Sequence, residues 1–419
     1  MRTIPGIRWW TIGLIMLGAV LNFLTRSALS VAAPTLMAQL HISTQQYGYI
    51  TGAFQGAIML QPAVGYALDV IGLKWGMAIF ALAWSVFSAA HGLAHNWQGL
   101  AALRGLMGFA EGTANPAGMK VVSEWFPARE RGFAGGIYNI GASMGSLLAP
   151  PLVAGAILIW NWQAAFVLTG ALGAVWVLLW LLFYQPPERQ RLMSVEERAL
   201  IVRGQETHLA ADGARPSILA LVQRRNFWGI ALPRLLADPT WGTLSFWLPL
   251  YLTTVRHFDL QQIAMFAWLP FLAADLGCLF GPAAVVFLER RGWHLIDARR
   301  GTFTLGALMM IGVMFTGFVE SPVAAVALIC VAGFAHQTLS ITVITMASDL
   351  FKRSEVATVA GMAGTCGNGG VLGFSLLIGG LVHQVGYTPF FVALGVFDLA
   401  GAVLLWALVR RPEEEMAHG

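Results

Sequence analysis

The sequence predicts an all-α membrane protein of twelve transmembrane helices in two six-helix halves, with both termini cytoplasmic. Three observations predict it. The 419 residues are 57% hydrophobic and only 11% charged, and the mean hydropathy is +0.68, which lies outside soluble globular composition and inside the polytopic membrane class. Apolar runs of about 20 residues, the length that crosses about 30 Å of hydrocarbon, recur twelve times. The longest polar interruption, QPPERQRLMSVEERALIVRGQETHLAADGARPSILALVQRRNF, divides them six and six.

The first span, 9–33, follows Arg2 and Arg8; it is too long for a signal-peptide core and no small-residue cleavage site follows, so it reads as a retained helix. Spans 46–68 and 75–94 qualify on apolar length, and span 98–120 does so although it contains Arg104 and Glu111. Spans 132–158 and 164–184 complete a first half, 1–184. A cytoplasmic linker, 185–226, follows, in which Ser194 and Glu197 have the spacing of a capping box opening a short surface helix. The second half, 227–419, holds spans 227–254, 261–288, 302–319, 322–348, 355–382 and 388–409.

Basic residues orient the spans. With the N-terminus inside, 21 of the 25 Lys and Arg fall in cytoplasmic segments, Arg256 alone lies outside, and Arg26, Arg104 and Arg234 lie within spans. That asymmetry predicts N-in, C-in topology. It also accounts for the net charge of +4, so nucleic acid is not expected as a partner; the lipid bilayer is. Cys278, Cys330 and Cys366 lie in apolar runs without metal-ligand or CxxC spacing, so neither disulfide nor metal is expected.

Two six-helix halves joined by a charged cytoplasmic loop is the layout of the major facilitator fold, in which substrate binds near the midplane between repeats. At GYALDVIGLKWG, Gly65, Asp69, Gly72 and Lys74 match the Gly-x-x-x-Asp-x-x-Gly-x-Lys/Arg signature of that superfamily, with Val70 and Leu73 where basic residues are frequent. The stretches RGLMGFAEGTANPAG and SEWFPARERGFAGGIYNIGASMGSLLAPPL resemble the anion:cation symporter family. PRLLADPTWGTLSFWLPLYL, AWLPFLAADLGCLFG, GFAHQTLSITVITMASDLF and GMAGTCGNGGVLG resemble the bacterial hexuronate transporter branch at helices 7, 8, 10 and 11. The resemblance covers nearly the whole chain. Family members frequently have Asp-Arg in helix 1; here Thr25 precedes Arg26, as in the hexuronate-type version.

A charge at the bilayer centre costs about 2.5–3.5 kcal/mol on insertion scales and persists where it faces a cavity or a partner. For Arg26 the readings are that it snorkels towards the outer surface, that it pairs with an acid to hold two helices together, or that it presents a planar fork of donors to the carboxylate of a sugar acid. Arg104, Gly108, Glu111 and Asn115 are spaced to form one helical stripe. Glu111 lies about 10 Å along the helix from Arg104, too far for an easy direct pair; it reads either as one half of an inter-helix ion pair or as a partly desolvated carboxyl that can bind and release a proton. Arg234 and Asp238 are four apart, the spacing of an intrahelical ion pair. Trp241 and Trp247 could stack on the apolar face of a pyranose or simply pack. His336, Gln337 and Asn368 could hydrogen-bond sugar hydroxyls, as could Asn22 and Asn139.

The resemblance thus implies a proton-coupled symporter importing galacturonate and glucuronate by alternating access across a bacterial inner membrane. The only coupling agent expected is the proton, no other cofactor is expected, and the carrier is expected to act as a monomer. Candidate substrate contacts are Arg26, Asn22, Arg104, Asn139, Trp241, Trp247, His336, Gln337 and Asn368. Candidate coupling acids are Glu111, Asp238 and Asp275, with Asp398 a further intramembrane acid. The resemblance assigns Asp69, Lys74, Glu124, Arg131 and Asp349 to gating salt bridges. Thr25, standing where an acid is frequent, points to a single coupled proton. The alternative is a carrier for an aldonate, aldarate or tartrate; drug efflux fits helix 5 poorly. An enzyme is not expected, because no His-x-x-x-x-Asp, nucleophile elbow or metal-spaced His pair occurs. Nor is a sensor, because the termini are too short for a signalling domain.

Overall fold

The computed structural model describes residues 4–126, 128–205, 218–351 and 353–411, and all regular structure among them is helical. The chain divides into two compact units: Met1–Ile42 with Gly56–Gly213, and Ser43–Gln55 with Ala214–Gly419.

The first unit contains α1 (Ile7–Leu40), the end of α2 (Thr44–Ile58), α3 (Gln61–Ile71), α4 (Leu73–Ala90), α5 (Trp97–Glu111), α6 (Ala114–Trp125), α7 (Ala128–Ile159), α8 (Trp162–Phe183) and α9 (Val195–Gln205). Small residues let membrane helices approach closely. On α7, Gly141 and Gly145 lie against the backbone carbonyls of Met16 and Val20, so a side chain at either would collide with α1. Trp176 of α8 fills the space left by Gly18, and its indole donates to the Leu14 carbonyl at 2.8 Å. Trp84, Trp125, Trp176 and Trp180 are core members.

Glu197 departs from the expected capping box. Its amide does donate to Ser194 Oγ at 3.1 Å. Its carboxylate, however, accepts from the Ile7 and Arg8 amides at 3.2 Å each and from Arg8 Nη1 at 2.9 Å. It therefore satisfies the open amides at the start of α1, where a negative charge also suits the helix dipole.

The second unit takes the greater part of α2, residues 44–55, with α10 (Ile218–Gln223), α11 (Arg225–Gly242), α12 (Leu248–Arg256), α13 (Leu260–Phe266), α14 (Leu269–Arg290), α15 (Leu295–Val313), α16 (Pro322–Leu350), α17 (Arg353–Val385) and α18 (Thr388–Leu408). Between α11 and α12 the chain winds as a π-helix over Thr243–Trp247. Gly370 of α17 lies at the Leu235 carbonyl of α11, and Gly277 of α14 at the Phe334 carbonyl of α16.

Among the described residues, eight helices are long and apolar enough to cross a membrane. The four remaining predicted spans differ for identifiable reasons. Span 46–68 is divided into α2 and α3, with Pro62 in the opening turn of α3. Span 98–120 is divided at Gly112 and Thr113, because Pro116 has no N–H to donate to the Gly112 carbonyl. Span 227–254 is interrupted by the π turn. Span 302–319 begins earlier, at Leu295, and takes in Asp297, Arg299 and Arg300.

Candidate functional site

In the first unit the charged side chains of α1 and α5 converge. Arg26 Nε donates to Glu111 Oε2 at 3.0 Å, with Arg26 17% exposed and Glu111 fully buried. Thr25 Oγ donates to the other carboxylate oxygen at 3.1 Å. The Arg26 guanidinium also lies 4.4 Å from the Phe23 ring centroid and reaches Asn22 Oδ1 at 3.4 Å. Arg104, 1% exposed, donates from Nη2 to the Arg26 carbonyl at 2.9 Å. Glu111 thus pairs with α1 and not along its own helix, and Arg104 braces the α1 backbone beside that pair. The predicted stripe ends at Glu111: the break at Gly112 and Thr113 puts Asn115 on α6, where it is exposed.

One proton on Glu111 would change this constellation. With Glu111 ionised, Arg26 is held by a charge-assisted hydrogen bond. With Glu111 protonated, that hold weakens and the guanidinium becomes available to another carboxylate.

The second unit holds a separate polar cluster. Arg234 Nη2 donates to Asp238 Oδ2 at 3.1 Å, the expected i,i+4 pair, and Asp238 rests against Gly367 of α17, where any side chain would displace it. One residue on, Asn368 accepts through Oδ1 from Gln55 Nε2 at 2.7 Å. Trp241 stacks on His336 with ring centroids 5.9 Å apart; His336 is 2% exposed. Gln337 and Asp275 are half-buried. Trp247 is fully buried and donates its indole N–H to Ser375 Oγ at 2.9 Å, an engagement that suits packing. Sequence reasoning missed Gln55 and the role of Thr25. Gln55 was visible as a lone amide in an apolar run, but nothing in the sequence named its partner.

The sequence model of the Major Facilitator Superfamily matches residues 15–374 and 293–418. The chain belongs to this superfamily. Its members are transport proteins, not enzymes. This Major Facilitator chain is 47% identical to the hexuronate transporter of Escherichia coli K12, the alignment covering 100% of this chain and 98% of that one. It is 50% identical to the galacturonate transporter of Dickeya chrysanthemi over 81% of this chain and 98% of that protein. The solved structure of a bacterial homolog of the human lysosomal transporter Spinster, inward-facing and occupied, matches with a TM-score of 0.72 at 17% identity, covering 96% of this chain and 95% of that one. That likeness concerns the fold.

The superfamily signature takes shape at the junction of α3 and α4. Gly72 has φ +88°, a conformation that glycine adopts without strain, and Lys74 follows on α4 with its carbonyl accepting from Trp180 Nε1 at 2.9 Å. Of the predicted gating residues, Asp349 accepts from Arg299 Nε at 2.7 Å, and Glu124 accepts from Tyr184 Oη at 3.4 Å. The side chains of Asp69, Arg131 and Asn139 lie outside the described residues.

Proposed function

We propose that this Major Facilitator chain imports hexuronates, galacturonate and glucuronate, together with protons. The Arg26–Glu111 pair carries the mechanistic reading, and kinship to the two uronate transporters supports the substrate class. In this reading Arg26 is the carboxylate anchor, Glu111 the coupling acid, Thr25 and Arg104 the groups that position them, and the proton the sole coupling agent. Asn368, Gln55, Trp241 and Gln337 contribute sugar contacts, and the Arg299–Asp349 pair acts in gating. The chain crosses the bacterial inner membrane twelve times as a monomer, with both termini cytoplasmic. Four of those crossings are made by the broken or charge-led helices. The two halves are 1–184 and 227–419, joined by the 185–226 linker.

Coupling follows from competition. A uronate carboxylate and the Glu111 carboxylate seek the same guanidinium, so binding of the anion and protonation of Glu111 favour each other. An anion bound without its proton leaves two carboxylates for one arginine, which opposes reorientation.

The test is uptake by proteoliposomes under an imposed pH gradient, with unlabelled galacturonate, glucuronate, galactonate and tartrate as competitors. Both uronates should compete strongly. Competition by galactonate or tartrate without either uronate overturns the assignment.

A further inference from the structure

Asp398 lies within α18 with no exposed surface, and among the described residues neither carboxyl oxygen has a hydrogen-bond partner. Three other acids of this unit are kept by ion pairs: Asp238 has Arg234, Asp349 has Arg299, and Asp297 has Arg300 and Arg411. An ionisable group inside hydrocarbon without such a partner is costly and marks an ion or proton pathway. Binding a proton is the chemistry that relieves a lone carboxylate there.

Its place in the packing says which pathway. The buried stripe of α18 runs Gly395, Asp398, Gly401, Leu405. Gly401 lies against Pro233 of α11, and Gly229 of α11 lies against Val409, so the two helices run antiparallel. One turn back from Gly401, Asp398 lies beside the turn of α11 that holds Arg234 and Asp238, and it is in the field of the Asp238 carboxylate. Arg234 Nε is buried with no hydrogen-bond partner among the described residues. His336 of α16 lies in the field of the same pair. The other neighbour, α15, meets the turns on either side of Asp398 through Phe303 and Met310. Its charged residues, Asp297, Arg299 and Arg300, sit in its first two turns.

We propose that Asp398 is a second proton-binding group of the carrier, exchanging its proton beside the Arg234–Asp238 pair, so that each cycle moves two protons with one uronate. This rests on the uronate and proton reading above. It replaces the single-proton expectation drawn from Thr25.

The experiment measures the galacturonate gradient that a pH step of about one unit sustains in proteoliposomes clamped at zero membrane potential. Two protons per uronate sustain about a hundredfold accumulation and one proton about tenfold. The unmodified protein should reach the higher value and Asp398→Asn the lower, while Asp398→Glu, which keeps a titratable group, should approach the unmodified value. Elution as a monodisperse species checks that each variant is folded. About tenfold accumulation by the unmodified protein overturns the proposal without any variant. So does Asp398→Asn sustaining the unmodified gradient. A protein that exchanges no uronate at all, with or without a pH gradient, overturns the transport reading itself, a result distinguishable from either.

Discussion

Arg26 and Glu111, 85 positions apart in the chain, hold each other at 3.0 Å across α1 and α5. In the proposed reading the pair joins the carboxylate anchor to the coupling acid. Each can be altered while the other is kept.

Glu111→Gln imitates the protonated acid permanently and still offers Arg26 an acceptor. This variant should continue to exchange labelled for unlabelled galacturonate, a step that needs no proton release. Its accumulation under a pH gradient should fall by about tenfold per pH unit. Both assays belong on one reconstituted preparation; accumulation equal to that of the unmodified protein would make Glu111 a structural partner only.

Arg26→Lys keeps the charge and loses the fork. Galacturonate affinity should fall by about 2 kcal/mol, roughly thirtyfold, with neutral glucose failing to compete in either protein. Calorimetric titration in detergent reads this directly, and near-normal affinity in the lysine variant would leave Arg26 as the helix-pairing residue alone.

Gly145→Ala adds a methyl where the Val20 carbonyl and the Phe23 side chain already sit. Overpacking of this kind costs about 1–3 kcal/mol. Thermal denaturation should therefore show a lower midpoint than for Gly155→Ala on the same helix, where an added methyl meets nothing within 4 Å. Equal midpoints would mean that α1 and α7 can separate without penalty.

Glu197→Ala removes the acceptor that satisfies the first amides of α1. A lost cap costs about 0.5–2 kcal/mol. The midpoint of unfolding should drop while galacturonate affinity is retained, because Glu197 touches neither charged cluster. A large loss of affinity at an unchanged midpoint would assign the linker helix to substrate binding.

What the sequence revealed and what it hid follow from different physics. Arg26, Glu111, Arg234 and Asp238 stand out because charge in an apolar run is rare and must be accommodated. The Arg234–Asp238 pair was readable because both residues share one helix. The partner of Glu111 was not, since Arg104 on the same helix lies too far along it for an easy pair and only tertiary packing brings α1 to α5. Gln55 and Asn368 lie 313 positions apart, so no local pattern links them. Hydropathy located the apolar runs but not the breaks within them: at Gly112 and Thr113 the composition remains apolar while the backbone loses its hydrogen bond to Pro116.

The wide turn at Thr243–Trp247 leaves α12 out of phase with α11. A π turn accommodates one extra residue, so rewinding it as regular α-helix would rotate everything beyond it by about 100°. Tyr251, whose ring centroid lies 5.0 Å from that of Phe391, would swing out of its aromatic cluster. Arg256, which donates to the carbonyls of Thr316 and Val319 at 2.6 Å each, would be pulled from the end of the neighbouring helix. The interrupted helix from α11 to α12 therefore has its far end fastened, and any change of winding at Thr243–Trp247 would act as torque on the connection between α15 and α16.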